Sequence, residues 1–327
     1  MGPARLGSRP PDRPGHGGAL TVAVEEIHAG HVPDGPVPAG ATLATLRVGD
    51  VVVATYCDGA ALPDTLAPRP FLHPVTTLSG TPVTDAQPED HRWHLGVSIP
   101  LQDVGGANVW GGRTYLRGEG YTWRRDHGRQ VHTGWPARDA AGVTETLDWR
   151  GPDGHRLLAE ERVLRARPAR RTDTWVLDVR STLRNATDAP LQLGSPATNG
   201  RPGAGYGGLF WRLPPVGGAR VWTPDAEGEQ AVHGSVAPWT AFGAGGERPF
   251  TVVLAGADET TRRDPWFVRV DDYPGLGSQL AAVEPVHLGP GASTTRCFRA
   301  LVVDGTPTAA DIETELAVPV DGGERPS

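Results

Sequence analysis

Three histidines in the first third of the chain are the first candidates for chemistry. His73 follows Arg69-Pro-Phe-Leu, and His91 and His94 lie in the segment Asp90-His-Arg-Trp-His-Leu-Gly. Because an imidazole titrates near neutral pH and is also the commonest metal ligand, this group could perform acid–base catalysis or bind a cation. In an extended strand His91 and His94 would point to opposite faces, so both reach one site only where the chain turns. Hydrogen-bonded structural imidazoles are the alternative.

Two Gly-rich segments combine aromatic rings with guanidinium groups. They are Asn108-Val-Trp110-Gly-Gly-Arg113 and Arg201-Pro-Gly-Ala-Gly-Tyr206-Gly-Gly-Leu-Phe-Trp211-Arg212. Aromatic faces pack against the C–H groups of sugar rings, Asn and Arg bind hydroxyls, and binding loops usually sit on rigid scaffolds. These segments therefore predict a site for a small carbohydrate, with core packing of the rings as the alternative. The G-x-G-x-x-G pattern starting at Gly203 is not followed by a long helix, so a dinucleotide site is not indicated.

The last third of the chain adds Asp264-Pro-Trp266-Phe-Val-Arg269 and Glu284-Pro-Val-His287. Glu284 precedes a predicted strand and could work with a histidine as general acid and base, each tuned by the charge of the other. A solvated charge at a strand edge is the alternative. The predicted catalytic residues are His91, His94 and Glu284, and the predicted substrate-binding residues are Arg69, His73, Asp90, Asn108, Trp110, Arg201, Tyr206, Arg212, Trp266 and Arg269.

Short β-branched or alternating runs, separated by turn residues, predict the strands that position these groups. In Trp175 to Leu183, apolar residues alternate with polar ones, which is the period-two pattern of a half-buried antiparallel strand. A turn after Asn185 and the run from Leu191 to Leu193 predict a hairpin with that strand. The other predicted strands are Leu20 to Val24, Thr42 to Leu46, Val51 to Tyr56, Val143 to Trp149, Leu157 to Leu164, Val252 to Leu254, Trp266 to Val270 and Thr295 to Val303.

Strands without intervening helices predict an all-β fold, a large antiparallel two-sheet supersandwich. One short helix is predicted near the end, where Thr308 can cap the segment from Ala309 to Leu316. We predict a single domain over residues 19–318, a disordered tail over residues 1–18 and a flexible tail over residues 319–327.

Composition excludes several classes of partner. The chain of 327 residues has a net charge of −7 and scattered arginines, which disfavours nucleic acid. No run approaches the length of a membrane span, so no membrane partner is predicted. The segment from Met1 to Gly18 lacks the apolar region of a signal peptide, and the 2 cysteines lie far apart, so a cytoplasmic location is predicted. The oligomeric state is left open.

The ordered segments resemble a bacterial family of unknown function, DUF6807-like and labelled methane oxygenase PmoA. The resemblance rests on the Arg69, Asp90, Asn108 and Asp264 segments and on Gly200-Arg-Pro-Gly-Ala-Gly-Tyr-Gly-Gly-Leu, and it spans about residues 20–305. It implies a soluble β-rich domain, similar in outline to the galactose mutarotase supersandwich. The resemblance also implies that such proteins are often found in bacteria together with sugar oxidoreductases and transporters.

The resemblance also implies roles for individual residues. The family's Asp-His-x-His-His cluster carries over to Asp90, His91 and His94, while Trp93 replaces the middle histidine. Mutarotase-like proteins generally use a His as acid and a Glu as base on sugar oxygens, which implies those roles for His91 or His94 and for Glu284.

Three classes of function follow. The first is a sugar-catabolism enzyme, an isomerase, lyase or hydrolase acting on a mono- or disaccharide or an oxidised sugar. On this hypothesis, alanine at His91 or His94 abolishes turnover and leaves the thermal midpoint near that of the wild type. The second is a non-catalytic sugar-binding or sensing protein. The third is a metal-dependent oxygenase, as the family label suggests, with a divalent metal around His73, His91 and His94; otherwise no cofactor is predicted.

Overall fold

A computed structural model describes residues 1–2 and 36–318, and this part of the chain is built mainly of strands. Two short helices, α1 (Glu229–Val232) and α2 (Ala309–Leu316), accompany them. The strands are β1 (Thr42–Val48), β2 (Val51–Cys57), β3 (Phe71–Val75), β4 (Val97–Ser98), β5 (Asp103–Val104), β6 (Thr114–Leu116), β7 (Gly120–Thr122), β8 (Arg129–Arg138), β9 (Gly142–Arg150), β10 (Arg156–Pro168), β11 (Thr174–Asn185), β12 (Leu191–Gly194), β13 (Phe210–Arg212), β14 (Arg220–Trp222), β15 (Trp239–Ala244), β16 (Phe250–Gly256), β17 (Trp266–Arg269), β18 (Gly275–Ser278), β19 (Val286–Leu288) and β20 (Ser293–Asp304).

Two large antiparallel sheets dominate the architecture. One has seven strands in the order β1-β2-β3-β4-β13-β18-β17, and the other has eight in the order β14-β15-β16-β20-β11-β10-β9-β8. A three-stranded sheet, β19-β12-β5, and the hairpin β6-β7 complete the strand pairing among the described residues. The prediction of an all-β fold with large antiparallel sheets is confirmed.

The main core lies between the two large sheets, and side-chain alternation decides which residues enter it. In β20, Phe298, Ala300 and Val302 join the core cluster that contains residues of both sheets. Leu301 and Val303 point the other way and pack in a second cluster with Ile312 of α2. The eight-stranded sheet is therefore covered on both faces in this region, with α2 on the outer one.

The C-terminal helix begins where the sequence predicts. The Thr308 hydroxyl accepts a hydrogen bond from the backbone N–H of Asp311, and the Asp311 carboxylate accepts one from the backbone N–H of Thr308. This reciprocal capping box satisfies two backbone donors at the helix start.

The predicted hairpin between the Trp175 strand and the Leu191 strand is wrong. The Asn185 side chain does stabilise the predicted turn, because its Oδ1 accepts from the backbone N–H of Thr187. However, β11 is already paired along its length with β10 on one side and β20 on the other. With both edges occupied, β12 pairs instead with β19 and β5.

The other strand predictions match described strands, with two qualifications at the ends of the chain. The strand predicted at Leu20 to Val24 lies outside the described residues, as do nearly all of the two predicted tails. The extended segment after Glu284 forms two strands, β19 and β20, because a turn at residues 289–292 separates them. No helix in the described part of the chain is long and apolar enough to cross a membrane.

Candidate functional site

A cavity of about 640 Å³ lies beside the β17 edge of the seven-stranded sheet and gathers residues that are far apart in the sequence. Its walls come from the loops β3–β4, β4–β5, β5–β6, β7–β8, β12–β13 and β17–β18, from the hairpin strand β7 and from β17 itself. This volume falls in the range of small-molecule sites, which are concave and combine apolar walls with a few polar groups.

Alternation along β17 determines which of its side chains reach the cavity. Phe267 and Arg269 line it, whereas Val268 and Trp266 point into the core between the sheets. Trp266 is 2% exposed and donates its indole N–H to the carbonyl of Ala237. The predicted substrate-binding role of Trp266 is therefore corrected to a core role. Trp266 and Arg269 are three residues apart on one strand, so their side chains face opposite sides.

On β13, Arg212 shares a face with Phe210 but lies behind the groups that line the cavity. Trp211 packs in the core, while Phe210 joins the aromatic cluster of the site. Arg212 has only 4% of its side chain exposed; its Nη2 lies 3.3 Å from Oδ1 of Asp90, and its guanidinium stacks 5.0 Å from the centre of the Tyr273 ring. Arg212 thus supports groups that line the cavity and does not itself line it.

Asp90 and His91 form a hydrogen-bonded pair at the cavity. Nδ1 of His91 lies 2.8 Å from Oδ2 of Asp90, and both side chains are partly exposed. Burial acts to raise the pKa of Asp90, but the hydrogen bond from His91 and the positive charge of Arg212 outweigh it, so the pKa lies below its ordinary value. Asp90 therefore stays ionised and orients the imidazole of His91.

His94 also lines the cavity but is almost completely buried, with 1% exposure. Its ring stacks on that of His91, with 4.5 Å between ring centres and 15° between planes. Burial, together with the positive charges of the nearby Arg212 and Arg69, holds the pKa of His94 well below its ordinary value. His94 is thus a neutral imidazole, and its Nδ1 has no hydrogen-bond partner among the described residues.

A turn brings the two histidines to the same side. The backbone N–H of His91 donates to the carbonyl of Pro88 at 3.2 Å, and that of His94 donates to the carbonyl of His91 at 2.9 Å. The segment is therefore not extended, and the side chains of His91 and His94 both reach the same cavity.

Aromatic rings line much of the cavity. Trp93 and Trp123 meet edge to face with 6.2 Å between ring centres, and Trp110 packs 4.5 Å from Tyr206. Tyr273 lies 4.7 Å from His91 and caps the stacked histidines. These rings offer apolar faces beside the polar Asp90–His91 pair.

A hydrogen-bonded chain crosses the opposite wall. The Gln102 amide donates to the Tyr206 hydroxyl at 2.9 Å, and that hydroxyl lies 2.9 Å from the hydroxyl of Tyr121. The guanidinium of Arg201 donates to the Tyr121 hydroxyl and stacks 4.8 Å from the centre of its ring. Burial raises the pKa of Tyr206 well above its ordinary value, so this hydroxyl remains protonated.

A model of a family of unknown function, DUF6807, matches residues 44–317. The chain belongs to this family. No curated protein matches the sequence. Among solved structures, a putative aldose 1-epimerase from Escherichia coli K12 is 13% identical, with a TM-score of 0.38 over 80% of this chain and 99% of that one. The Slr1438 protein from Synechocystis sp. PCC 6803 is also 13% identical, with a TM-score of 0.40 over 84% of this chain and 99% of that one. At these values the likeness says nothing about activity.

Two predicted substrate-binding residues of this DUF6807 protein lie beneath the site. Arg69 has 0% exposure, and its guanidinium donates to the carbonyl of Trp93 at 2.8 Å and to that of Trp110 at 3.1 Å. Asn108, also at 0% exposure, accepts the backbone N–H groups of Trp110 and Gly111 through Oδ1, both at 2.9 Å. Both residues hold the site loops together from below and do not contact the cavity.

His73 and Glu284 are not among the residues that line the cavity. Nδ1 of His73 lies 3.0 Å from the Thr84 hydroxyl, and burial lowers the pKa of His73 despite the opposing charge of Asp85. Glu284 is an exposed residue in the turn before β19. The proposed pairing of Glu284 with a histidine is therefore not formed in this structure.

The residues around the predicted metal position do not fit a three-ligand centre. Nδ1 of His91 is taken by Asp90, and the rings of His91 and His94 are stacked face to face, so they do not aim nitrogens at a common point. The described residues contain no group of three or more His, Cys, Asp or Glu side chains arranged to hold a metal ion. The geometry therefore does not favour a divalent metal at His73, His91 and His94.

Several lining residues were missed in the sequence. Tyr121 and Trp123 belong to the short hairpin β6–β7 and the segment after it, and Tyr273 lies in the tight turn before β18. Phe267 had a signal, since it alternates with the core residue Trp266 on one strand. Tyr273 had none, because only the pairing of β17 with β18 brings that turn over the histidines.

Proposed function

We propose that this DUF6807 protein is a carbohydrate-active enzyme, an isomerase, lyase or hydrolase of a mono- or disaccharide or an oxidised sugar, in which His91 transfers the proton. The observation that carries the proposal is the 2.8 Å contact between Nδ1 of His91 and the Asp90 carboxylate inside an aromatic cavity.

The contact with Asp90 orients the His91 ring and selects its tautomer. An ionised carboxylate can only accept, so the Nδ1 proton stays on His91 and donates to Asp90. Nε2 is then left with a lone pair, and no hydrogen bond to it occurs among the described residues. Asp90 stabilises the imidazolium that forms when Nε2 takes a proton from a sugar hydroxyl or C–H group.

The neutral ring of His94 supports this chemistry from behind. It packs against the His91 ring and is itself enclosed by Trp110, Phe210 and Tyr273. An enclosed apolar backing restricts the orientation of His91, which favours a fixed position for Nε2. His94 is therefore a positioning residue in this proposal.

The aromatic walls support a carbohydrate as the substrate. Faces of Trp93 and Trp123 can pack against the C–H groups of a sugar ring, and the Tyr121 hydroxyl, Arg113 and Arg201 can bind its hydroxyls. The volume of about 640 Å³ is sufficient for a mono- or disaccharide.

A non-catalytic sugar-binding protein is the second candidate. The exposed position of Glu284, outside the cavity, favours it, because the predicted carboxylate partner for a histidine acid is not at the site. A binding protein would use the same walls and would return its ligand unchanged.

Proton NMR of sugars incubated with the protein tests the proposal. We expect the wild type to convert at least one mono- or disaccharide, and His91→Gln and Asp90→Asn to lower the rate by at least about a hundredfold. The matched control is His155→Gln, since His155 also pairs with a neighbouring carboxylate, Asp153 at 3.0 Å, but is exposed and outside the cavity.

The outcomes separate the two candidates. Conversion that His91→Gln abolishes and His155→Gln retains supports the enzyme. Saturable binding with every sugar recovered unchanged supports the binding protein and contradicts the enzyme. Conversion that survives His91→Gln contradicts the role of His91.

A further inference from the structure

We infer that the carbohydrate held by this site carries an acidic group, a carboxylate or a phosphate, and that Arg113 and Arg201 bind it. The inference deepens the proposed function and rests on it, since it names the class of sugar that the same cavity accepts.

Arg113 is a cation without an acceptor in the described part of the chain. Its side chain lies at the cavity and is exposed. Among the described residues, the guanidinium contacts only the ring of Trp123, with its carbon 5.8 Å from the ring centre. Stacking on an aromatic face leaves the N–H edge of a guanidinium free to bind an anion.

Arg201 also lines the cavity and also stacks on an aromatic ring. It stacks on Tyr121 and donates one N–H to the hydroxyl of that tyrosine, a neutral partner. No carboxylate lies within ion-pair distance of Arg201 among the described residues, so its positive charge is not compensated.

The two arginines belong to one connected wall. The Gln102 amide that donates to the Tyr206 hydroxyl also donates to the backbone carbonyl of Arg113, at 3.2 Å. The Tyr206 hydroxyl then contacts Tyr121, which accepts from Arg201. Since Gln102 is 3% exposed and Tyr206 is packed on Trp110, this wall fixes the positions from which both guanidiniums reach into the cavity.

The other charges at the cavity are largely compensated. Asp90 contacts both His91 and Arg212, and Arg269 lies 3.5 Å from Glu229. Asp272 is the one lining carboxylate without an ion pair among the described residues. Within the described part of the chain, two lining arginines and one lining carboxylate are therefore without an ion pair, which leaves an excess of positive charge at the cavity.

The local excess of positive charge at the cavity is opposite in sign to the net charge of the whole chain. With a net charge of −7, the average field of the protein repels anions. Uncompensated guanidiniums at a cavity therefore serve local recognition, and a guanidinium fork matches a carboxylate or phosphate through two parallel hydrogen bonds.

Titration calorimetry with matched sugars tests the inference. The probes are a hexuronate, the neutral hexose of the same stereochemistry and the corresponding hexose 6-phosphate, for the gluco and galacto series. We expect an acidic sugar to bind at least about tenfold more tightly than its neutral counterpart, with the preference weakening as salt is raised. The two acidic probes distinguish a carboxylate from a phosphate.

Substitutions of Arg113 and Arg201 test whether these residues cause the preference for acidic sugars. We expect the double variant Arg113→Gln/Arg201→Gln to bring the affinity ratio of acidic to neutral sugar close to one. The matched control is Arg165→Gln/Arg180→Gln, which removes the same charge from exposed arginines on the eight-stranded sheet and should keep the ratio.

Neutral sugars that bind as tightly as their acidic counterparts would overturn the inference and leave the proposed function intact. A preference that persists in the Arg113 and Arg201 double variant would overturn the assignment of these residues. Failure of every sugar to bind would contradict the proposed function as well.

Discussion

His91 and His94 are three residues apart and stacked on each other, yet their surroundings give them different roles. His91 is partly exposed and paired with Asp90, whereas His94 is enclosed by aromatic rings with 1% exposure. The expectation that alanine at either histidine leaves stability unchanged is therefore retained for His91 only. Truncation of His94 leaves a void among packed rings, which we expect to cost at least about 2 kcal/mol.

The pH dependence of stability follows from the buried state of His94. An unfolded histidine has a pKa of about 6.5, while burial and nearby positive charges hold the folded pKa of His94 well below that value. Below about pH 6.5 the unfolded chain takes up a proton that the folded protein does not, so stability present above this pH is lost as the pH falls. We expect urea unfolding to show a shallower decline between about pH 7 and about pH 5 in His94→Gln than in the wild type.

Two other histidines, His73 and His233, also contribute to the pH dependence of stability. Burial lowers the pKa of each, so both act in the same direction and a residual decline should remain in the variant. An unchanged pH slope in His94→Gln would show that His94 is not held neutral in the folded protein.

At the scale of elements, the site depends on loops whose backbone passes close to aromatic rings. Gly112 adopts a φ of +69°, and a Cβ there would lie 2.5 Å from the Trp93 ring. Arg69 and Asn108 tie the same loop to its neighbours from below. These contacts hold the loop backbone against the Trp93 ring.

The substitution Gly112→Ala should lower sugar affinity at least about tenfold, because the added methyl group must displace Trp93 from the cavity wall. The matched control is Gly106→Ala. Gly106 also has a positive φ, +92°, but its Cβ would have no neighbour within 4 Å. Both variants carry about 1–2 kcal/mol of backbone strain. Gly112→Ala also displaces the Trp93 ring, so we expect it to lose more stability than Gly106→Ala and to be the only one of the two that loses affinity. Equal affinities would show that the position of Trp93 does not limit binding.

The C-terminal helix provides a test of an element remote from the cavity. We expect Thr308→Ala to cost about 1 kcal/mol of unfolding free energy, because it removes the capping box at the start of α2. Sugar affinity should not change, and Thr314→Ala, in the last turn of the same helix, is the control for loss of a hydroxyl. A stability loss no larger than that of the control would contradict the capping role.

At the scale of the molecule, a buried ionic network joins the two large sheets. Arg162 on β10 is 1% exposed and makes two hydrogen bonds to Glu160, at 2.9 and 2.7 Å. It also donates to the hydroxyl of Tyr56 on β2 at 3.0 Å, and that hydroxyl donates to Glu145 of β9 at 2.5 Å. Charges in the interior are thus paired across the sandwich.

Removal of one partner of this network should be costly. We expect Arg162→Met to lower the unfolding free energy by about 3–5 kcal/mol, since it leaves Glu160 buried without its counter-charge. Arg165→Met on the same strand is the matched control, because Arg165 is exposed and should change stability by no more than about 0.5 kcal/mol. A similar small change for Arg162→Met, measured by chemical unfolding, would contradict a structural role for the network.

The sequence by itself determined the all-β class, most strand positions and the helix at Thr308. These features depend on interactions between residues close in sequence, through the period-two pattern and the capping box. It also identified Asp90, His91, His94, Trp110, Arg201, Tyr206 and Arg269, all of which line the cavity.

Only the tertiary structure decided which face each candidate occupies and which loops meet. Trp266 and Arg269 look alike as site candidates in the sequence, but the pairing of β17 with β18 and the burial of one sheet face send them to opposite sides. Arg69 and Glu284 were misplaced for a related reason, since burial and distance to the cavity depend on contacts between segments far apart in the chain. Such contacts leave no local pattern, because loop closure over long separations is set by the packing of the whole sandwich.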